Sequence, residues 1–187
     1  MILDERLRKE MEARGMLPDG QAGFRKGRGT MDNVYILRDL VGREIRKEGG
    51  RMYALFIGFK AAFDSVNREK MWEYLRRKGV DAYLVTKMEE IYEETVNTVR
   101  VNGIESESFY TNRGVRQGWP LSPALFAAYL GDIDEMFSKA QTGGMVVGKE
   151  KVCSLAYADN LVIVAKKREE MKALIKSLEK YVKKKGI

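Results

Sequence analysis

The chain has 187 residues, of which 44% are hydrophobic and 33% charged, and its formal net charge is +7. This length and composition predict one domain or two small lobes with a real core, and they exclude a disordered or fibrous chain. Because there is one cysteine and no histidine, disulfide frameworks, Cys/His zinc sites and histidine-activated nucleophiles are excluded. A bound metal ion must therefore be held by oxygen ligands.

The excess positive charge lies near the C-terminal end. Residues 166–187 contain nine basic and three acidic side chains, a pattern that fits a solvated helix face and a nucleic-acid contact surface equally well. No apolar run approaches the roughly 20 residues needed to span a bilayer, and the charged start MILDERLRKE does not resemble a signal peptide. We expect an intracellular setting, in nucleus or cytoplasm, and no membrane partner.

The first half of the chain predicts helices around one apolar strand. The run Tyr53 to Phe59 is continuously apolar, which is typical of a core strand covered on both faces. The residue types also predict a loop from Gln21 to Thr30, rich in Gly and Arg, and a helix cap at Asn67. Helical periodicity is found in four segments: residues 1–14, 31–46, 67–78 and 81–94.

The second half predicts two hairpins and two helices. Asn102-Gly103 lies between two β-prone runs in residues 95–112, and this pair favours a hairpin turn. Residues 121–137 predict one amphipathic helix. Two apolar runs, 152–158 and 161–165, are separated only by Asp159-Asn160, which predicts a second tight turn.

The final helix is expected to turn its lysines outward and a set of apolar residues inward, namely Met171, Leu174, Ile175, Leu178 and Val182. The whole order of elements predicts an α+β domain with one mainly antiparallel sheet and helices packed on one face.

Asp159 is the first candidate for chemistry. A carboxylate at the tip of a hairpin between two apolar strands is exposed and rigidly held, which suits binding of Mg²⁺ beside a polyphosphate. Asp is also simply a good turn residue, so this position alone carries little weight.

Four strings, taken together, identify a family. They are QAGFRKGRGT at 21–30, LFIGFKAAFDSV at 55–66, GVRQGWPLSPALF at 114–126 and AYADN at 156–160. In composition, order and spacing they resemble the reverse transcriptases of non-LTR (LINE-like) retrotransposons, and the resemblance covers nearly the whole chain.

The resemblance implies a right-hand polymerase fold, with fingers in residues 1–50 and a palm in residues 51–187. Residues 80–113 could add to the fingers, and no thumb is expected. It also implies an RNA template, a DNA primer and a deoxynucleotide triphosphate as partners, with Mg²⁺ or Mn²⁺ as the cofactor. The oligomeric state is left open.

Two of the three catalytic carboxylates of the family are replaced. The family's FIDFKAAFD-like motif has Gly58 at its leading Asp, and its usual YADD is YADN here, so Asp159 remains and Asn160 replaces the second carboxylate. Asp64 matches a further family Asp, expected to be structural, and lies too far along the strand to substitute for Gly58. We therefore predict weak metal binding and no catalysis.

The resemblance also assigns substrate contacts. Phe63 matches a steric gate against a 2′-hydroxyl, although an ordinary core aromatic is the alternative. Gln117 and Gly118 match a loop along the nascent base pair, and the neighbouring Trp119 either stacks on template or covers the core. Basic side chains are expected on the triphosphate and template backbone, namely Arg25, Lys26, Arg28 and additionally Arg116.

Two other classes of function compete with an inactive polymerase domain. One is a nucleic-acid-binding or assembly module that retains the fold without the chemistry. The other is a structural fragment whose exposed palm edge mediates self-association. Primer extension and nucleic-acid binding assays distinguish the three.

Overall fold

The computed structural model describes residues 2–93, 95–139 and 143–187. Within them it has eight helices: α1 (Ile2–Ala13), α2 (Thr30–Ile45), α3 (Ala62–Ser65), α4 (Arg68–Arg77), α5 (Ala82–Glu93), α6 (Ser122–Tyr129), α7 (Ile133–Lys139) and α8 (Arg168–Lys185). The same residues form nine strands: β1 (Tyr53–Gly58), β2 (Val96–Asn97), β3 (Arg100–Val101), β4 (Ile104–Glu105), β5 (Phe109–Tyr110), β6 (Met145–Val147), β7 (Glu150–Val152), β8 (Ser154–Tyr157) and β9 (Asn160–Ala165). The predicted α+β class is confirmed.

Local signals in the sequence were reliable at two places. The Asn67 side chain accepts a hydrogen bond from the Lys70 backbone N–H at 2.9 Å, so it caps α4 as predicted. Asn102 and Gly103 both have positive φ, 52° and 83°, and join β3 to β4. This is the backbone geometry that a two-residue hairpin turn requires.

The central sheet has the strand order β1–β9–β8 and is antiparallel throughout. The remaining strands form three separate two-stranded ribbons, β2–β5, β3–β4 and β6–β7, so the prediction of a single sheet is wrong. The segment from β2 to β5, residues 96–110, is exposed along nearly its whole length, and within the described part of the chain its four strands pair only among themselves. Strands β6 and β7 were not predicted from the sequence.

The turn between β8 and β9 differs from the prediction by one residue. Asn160 pairs with Tyr157 on one side and with Gly58 on the other, so it is the first residue of β9. The turn residues are Ala158, with φ of 57°, and Asp159. Pairing on both sides holds Asn160 in the strand, and Asp159 stays at the tip.

Strand β1 is covered on one face only, which corrects the expectation of burial on both. Exposure alternates along it, and Phe56 is 68% exposed. On the more exposed face, which carries Phe56, α2 and β6–β7 contribute a small cluster around Leu40, Met145 and Val164. This cluster lies toward β9, so it leaves Phe56 and Gly58 open.

The segment 121–137 forms two helices instead of the one amphipathic helix predicted. Helix α6 is buried nearly all round, because the main core surrounds it. Gly131 interrupts the helical path: a Cβ there would lie 2.5 Å from the Met16 carbonyl oxygen and 2.6 Å from the Tyr74 hydroxyl. Only glycine fits this close approach, and Gly131 lies in the three-residue connection between α6 and α7.

Helix α8 has its predicted apolar stripe inward, with Met171, Leu174 and Leu178 buried. Lys185 is an exception to the outward lysines, since it is only 7% exposed. Its Nζ lies 2.8 Å from the Asp132 carboxylate and donates to the Tyr129 carbonyl at 2.7 Å. None of the helices in the described ranges has the length and hydropathy needed to cross a bilayer.

Candidate active site and nucleic-acid interface

Three predicted catalytic positions meet at one end of the central sheet. Gly58 and Asn160 are direct partners in the β1–β9 ladder, and a Cβ placed on Gly58 would lie 3.7 Å from Oδ1 of Asn160. Asp159 immediately precedes Asn160, and its carbonyl accepts a hydrogen bond from the Phe59 N–H at 3.3 Å. A side chain at position 58 would therefore extend toward the hairpin tip.

The loop before α2 is bonded to the same hairpin through Gln21, which is 2% exposed. Its Oε1 accepts hydrogen bonds from the N–H groups of Gly23 at 2.8 Å and Ala158 at 3.1 Å. Its Nε2 donates to the Ala158 carbonyl at 3.3 Å. Gln21 thus fixes the backbone of the residue that precedes Asp159.

Two glycines allow this loop to lie directly on the hairpin. A Cβ on Gly20 would be 2.5 Å from the Ser154 carbonyl oxygen, and one on Gly23 would be 2.3 Å from the Ala158 nitrogen. Both distances are far inside van der Waals contact, so only glycine fits. Sequence reasoning missed Gln21 and these glycines, although a Gln flanked closely by two Gly in a loop was a usable signal.

The basic side chains of this loop differ in how far ion pairs and hydrogen bonds within the chain already occupy them. Arg25 forms a two-pronged ion pair with Glu12, at 3.1 and 2.9 Å, and donates to the Pro18 carbonyl at 3.1 Å. Arg28 donates to the Asp19 carbonyl at 2.5 Å, and Lys26 is exposed. Lys26 and the outer part of Arg28 are therefore more accessible to a phosphate than Arg25, which holds the loop to α1.

Phe63 is partly buried against two other aromatic rings. It stacks on Phe126 with 4.9 Å between ring centroids, and it meets Phe24 edge-on at 6.3 Å. One side of the ring therefore packs in the core. The steric-gate role stays a prediction that concerns its remaining exposed edge.

The loop that contains Gln117 and Gly118 faces solvent. Nε2 of Gln117 donates to both carboxylate oxygens of Asp64, at 3.2 and 3.4 Å, so Asp64 orients Gln117. Gly118 has φ of +80° and open space where a Cβ would be. The backbone at Gly118 is thus accessible to a ligand.

Arg116 points inward and does not join a basic channel, contrary to expectation. Its guanidinium donates to the Ile91 carbonyl at 3.1 Å and to the Thr95 hydroxyl at 2.6 Å. It also lies 4.4 Å from the ring centroid of Trp119, which meets Tyr92 edge-on at 5.9 Å. Arg116 and Trp119 therefore form part of the packing beneath the loop.

Comparison with known sequences decides the family. The sequence model described as reverse transcriptase (RNA-dependent DNA polymerase) matches residues 1–187. The chain belongs to the reverse transcriptase family.

Relatives of this reverse transcriptase domain include Pol polyproteins of R2 elements, which confirms the resemblance to non-LTR retrotransposons. The R2 polyprotein of Nasonia vitripennis is 28% identical over 92% of the chain, which corresponds to 17% of that relative. The R2 polyprotein of Popillia japonica is 31% identical over 87% of the chain and 23% of its own length. The chain thus spans less than a quarter of these relatives.

Solved structures show the fold independently of sequence. The domain matches telomerase from Candida tropicalis, in complex with a fragment of telomeric RNA, with a TM-score of 0.73, over 98% of the chain and 31% of that protein, at 11% identity. Telomerase from Candida albicans gives a TM-score of 0.67 over 99% of the chain and 33% of its own, at 13% identity. These proteins have the right-hand polymerase fold, as predicted.

Reverse transcriptases normally use divalent metal ions, but the donors in this domain do not fit a two-metal site. Asp159 supplies one half-buried carboxylate, and it accepts a 3.3 Å hydrogen bond from the Asn160 amide. Gly58 supplies no donor. Across the described residues, no three Asp, Glu, His or Cys side chains converge as a metal-binding group.

Proposed function

We propose that this domain is the fingers and palm of a non-LTR retroelement polymerase that binds primed RNA without adding nucleotides. One observation carries the proposal: Gly58 and Asn160 are ladder partners beside Asp159. The two substitutions therefore remove charge from one place, where the family's carboxylates would converge. The fold around them is retained.

Charge balance explains why this centre is expected to be inactive. Two divalent cations beside a triphosphate need several converging carboxylates, because neutral oxygens leave the cations uncompensated. Asn160 keeps only a neutral carbonyl oxygen, and Gly58 keeps nothing. A loss of about 4 kcal/mol of transition-state stabilisation alone would slow the reaction roughly a thousandfold.

In this proposal, residues 1–50 serve as fingers and residues 51–187 as palm. The RNA template, DNA primer and deoxynucleotide triphosphate would lie over the open face that carries Phe56 and Gly58. Lys26 and Arg28 supply phosphate contacts, because their charges are accessible. Asp159 remains as a single metal ligand for Mg²⁺ or Mn²⁺.

The test restores the carboxylates in the variant G58D/N160D. A Cβ at position 58 meets only Oδ1 of Asn160, at ordinary contact distance, so the fold should tolerate the change. Calorimetry is expected to show Mn²⁺ affinity at least about tenfold higher than in the parent, because three converging oxygens replace one.

The variant G58N is the matched control, since it adds nearly the same volume without charge. It should leave Mn²⁺ affinity at the parent level. Equal affinity in the parent and in G58D/N160D would refute the site assignment. Metal-dependent extension of a primed RNA by the parent would refute inactivity.

A further inference from the structure

A second large cavity lies away from the catalytic positions, between the end of α4, helix α7 and the last turns of α8. Its volume is about 700 Å³. Its lining residues are Arg77, Lys78, Asp132, Glu135, Met136, Lys139, Ser177, Lys180, Tyr181, Lys184 and Lys185. None of them belongs to the loop before α2, to the β8–β9 hairpin or to the Gln117–Gly118 loop.

The charges of this basic cavity are strongly unbalanced. Six lining side chains are cationic and two are anionic. The two carboxylates are already neutralised, because Asp132 pairs with Lys185 at 2.8 Å and Glu135 pairs with Lys78. Lys139, Lys180 and Lys184 are exposed, and no ion pair involves them among the residues that the structure describes.

Comparison with the other large cavity shows that the excess positive charge is not a general feature of cavities in this domain. It has a similar volume, about 770 Å³, and lies among α4, α5 and β5. Four glutamates and two arginines line it, so its lining is net negative. A polyanion is therefore attracted to the basic cavity and repelled by the other.

The floor of the basic cavity is built from buried, mutually bonded groups. The Tyr181 hydroxyl donates to the Asp132 carboxylate at 2.6 Å, and the Tyr129 hydroxyl donates to the Lys185 carbonyl at 2.5 Å. These bonds fix the end of α8 against the segment that leads into α7. The free lysines are thus presented from two elements whose relative position is set.

We propose that the basic cavity is a second RNA-binding surface, which takes the phosphodiester backbone without reading sequence. Lysine ammonium groups bind phosphates as point charges, and the lining has no exposed aromatic ring on which a base could stack. This assignment goes beyond the proposed function, because it does not depend on the palm face or on metal. The cavity would recognise a run of closely spaced phosphates. RNA supplies such a run, and free tripolyphosphate is the other possible source of it.

The experiment compares two triple variants of the chain with the same change of charge. The cavity variant is K139Q/K180Q/K184Q. The control variant is K172Q/K176Q/K183Q, which neutralises three exposed lysines of α8 that do not line the cavity.

Binding of a single-stranded RNA of mixed sequence is measured by fluorescence anisotropy over a range of salt concentrations. The cavity variant should lose at least about tenfold in affinity at low salt, and its slope of log affinity against log salt should fall by about 2, since three phosphate contacts are lost. The control variant should stay within about twofold of the parent. Each variant is checked by its thermal unfolding midpoint.

Three results would overturn the proposal. Equal weakening by both variants would mean that net charge alone attracts RNA. No weakening by the cavity variant would mean that the cavity does not contact it. Binding of tripolyphosphate, lost in the cavity variant, with no effect of that variant on RNA would assign the site to a small polyphosphate instead.

Discussion

Arg68 offers a sharp test of what holds the Gln117–Gly118 loop in place. It lies on α4, is only 8% exposed, and its guanidinium is surrounded by the chain that leads into the loop. Nε donates to the Gly114 carbonyl at 2.8 Å, and Nη2 donates to the Arg113 carbonyl at 3.0 Å. The Thr111 carbonyl accepts from Nη1, and the guanidinium lies 5.0 Å from the Tyr92 ring centroid.

The variant R68M keeps the aliphatic volume and removes all these donors. Three backbone carbonyls of one segment lose a charged donor, and such a bond contributes about 1.5–3 kcal/mol. Because Arg113 is exposed and Thr111 is half-buried, water can replace part of the loss. We therefore take the lower value for each of the three bonds, which gives a loss of about 4.5 kcal/mol in unfolding free energy.

Urea unfolding at pH 7 measures this loss, and the midpoint of thermal unfolding should fall by about 10 °C. Amide hydrogen exchange should also accelerate in residues 111–118 more than in the central sheet. The matched control is R76M on the same helix, because Arg76 is half-exposed and forms an ion pair with Glu89. That variant should lose less than about 1 kcal/mol.

R68K separates charge from geometry. Lysine keeps the charge but can reach only part of this set of acceptors, so an intermediate loss is expected. If R68M is no less stable than R76M, the guanidinium does not hold the loop, and the assignment of Arg68 is wrong.

Three further predictions concern the loop before α2, the buried ion pair and RNA affinity. Q21M should lose about 2–3 kcal/mol of unfolding free energy in a urea titration, since three hydrogen bonds disappear, and Q21E should not restore this loss, because it leaves a buried carboxylate oxygen facing the Ala158 carbonyl. Burial by itself would raise the pKa of Asp132, but hydrogen bonds from Lys185 and Tyr181 outweigh it and hold that pKa below its usual value. The stability this provides is present above about pH 4 and is lost as pH falls through the lowered pKa, so D132N should be destabilised at pH 7, and the difference from the parent should shrink in urea titrations near pH 3. RNA affinity should fall steeply between about 50 and 200 mM salt and should weaken in K26A/R28A; an affinity that does not change with salt would contradict both phosphate-binding assignments.

The family, the fold class and the position of Asp159 at a hairpin tip could be predicted from the sequence, because they depend on local patterns. Four sequence strings in the correct order identify the family. Asn67 caps a helix and Asn102-Gly103 forms a turn through contacts with residues only a few positions away. The same is true of the inward stripe of α8. Each of these signals involves neighbours along the chain, which a sequence displays directly.

Other features depended on contacts between distant segments, and only the tertiary structure decided them. In the sequence Gln21 is an ordinary loop residue, but in the structure its side-chain amide forms hydrogen bonds with the backbone of Ala158. From the sequence, Arg116 and Arg25 were expected to be free charges. In the structure Arg116 donates to the Thr95 hydroxyl, and Arg25 forms an ion pair with Glu12. Lys185 looked like one more surface lysine, although Asp132 makes its burial tolerable.

The physical reason is that polar and charged side chains do not report their partners through periodicity. A hydrophobic pattern predicts which face of a helix or strand is buried, because burial acts on each residue separately. A hydrogen bond or an ion pair is a property of two residues, and the ladder partners Gly58 and Asn160 lie 102 positions apart in the chain. The sequence predicts that Gly58 and Asn160 replace carboxylates, whereas the placement of these two residues side by side became visible only in the folded sheet.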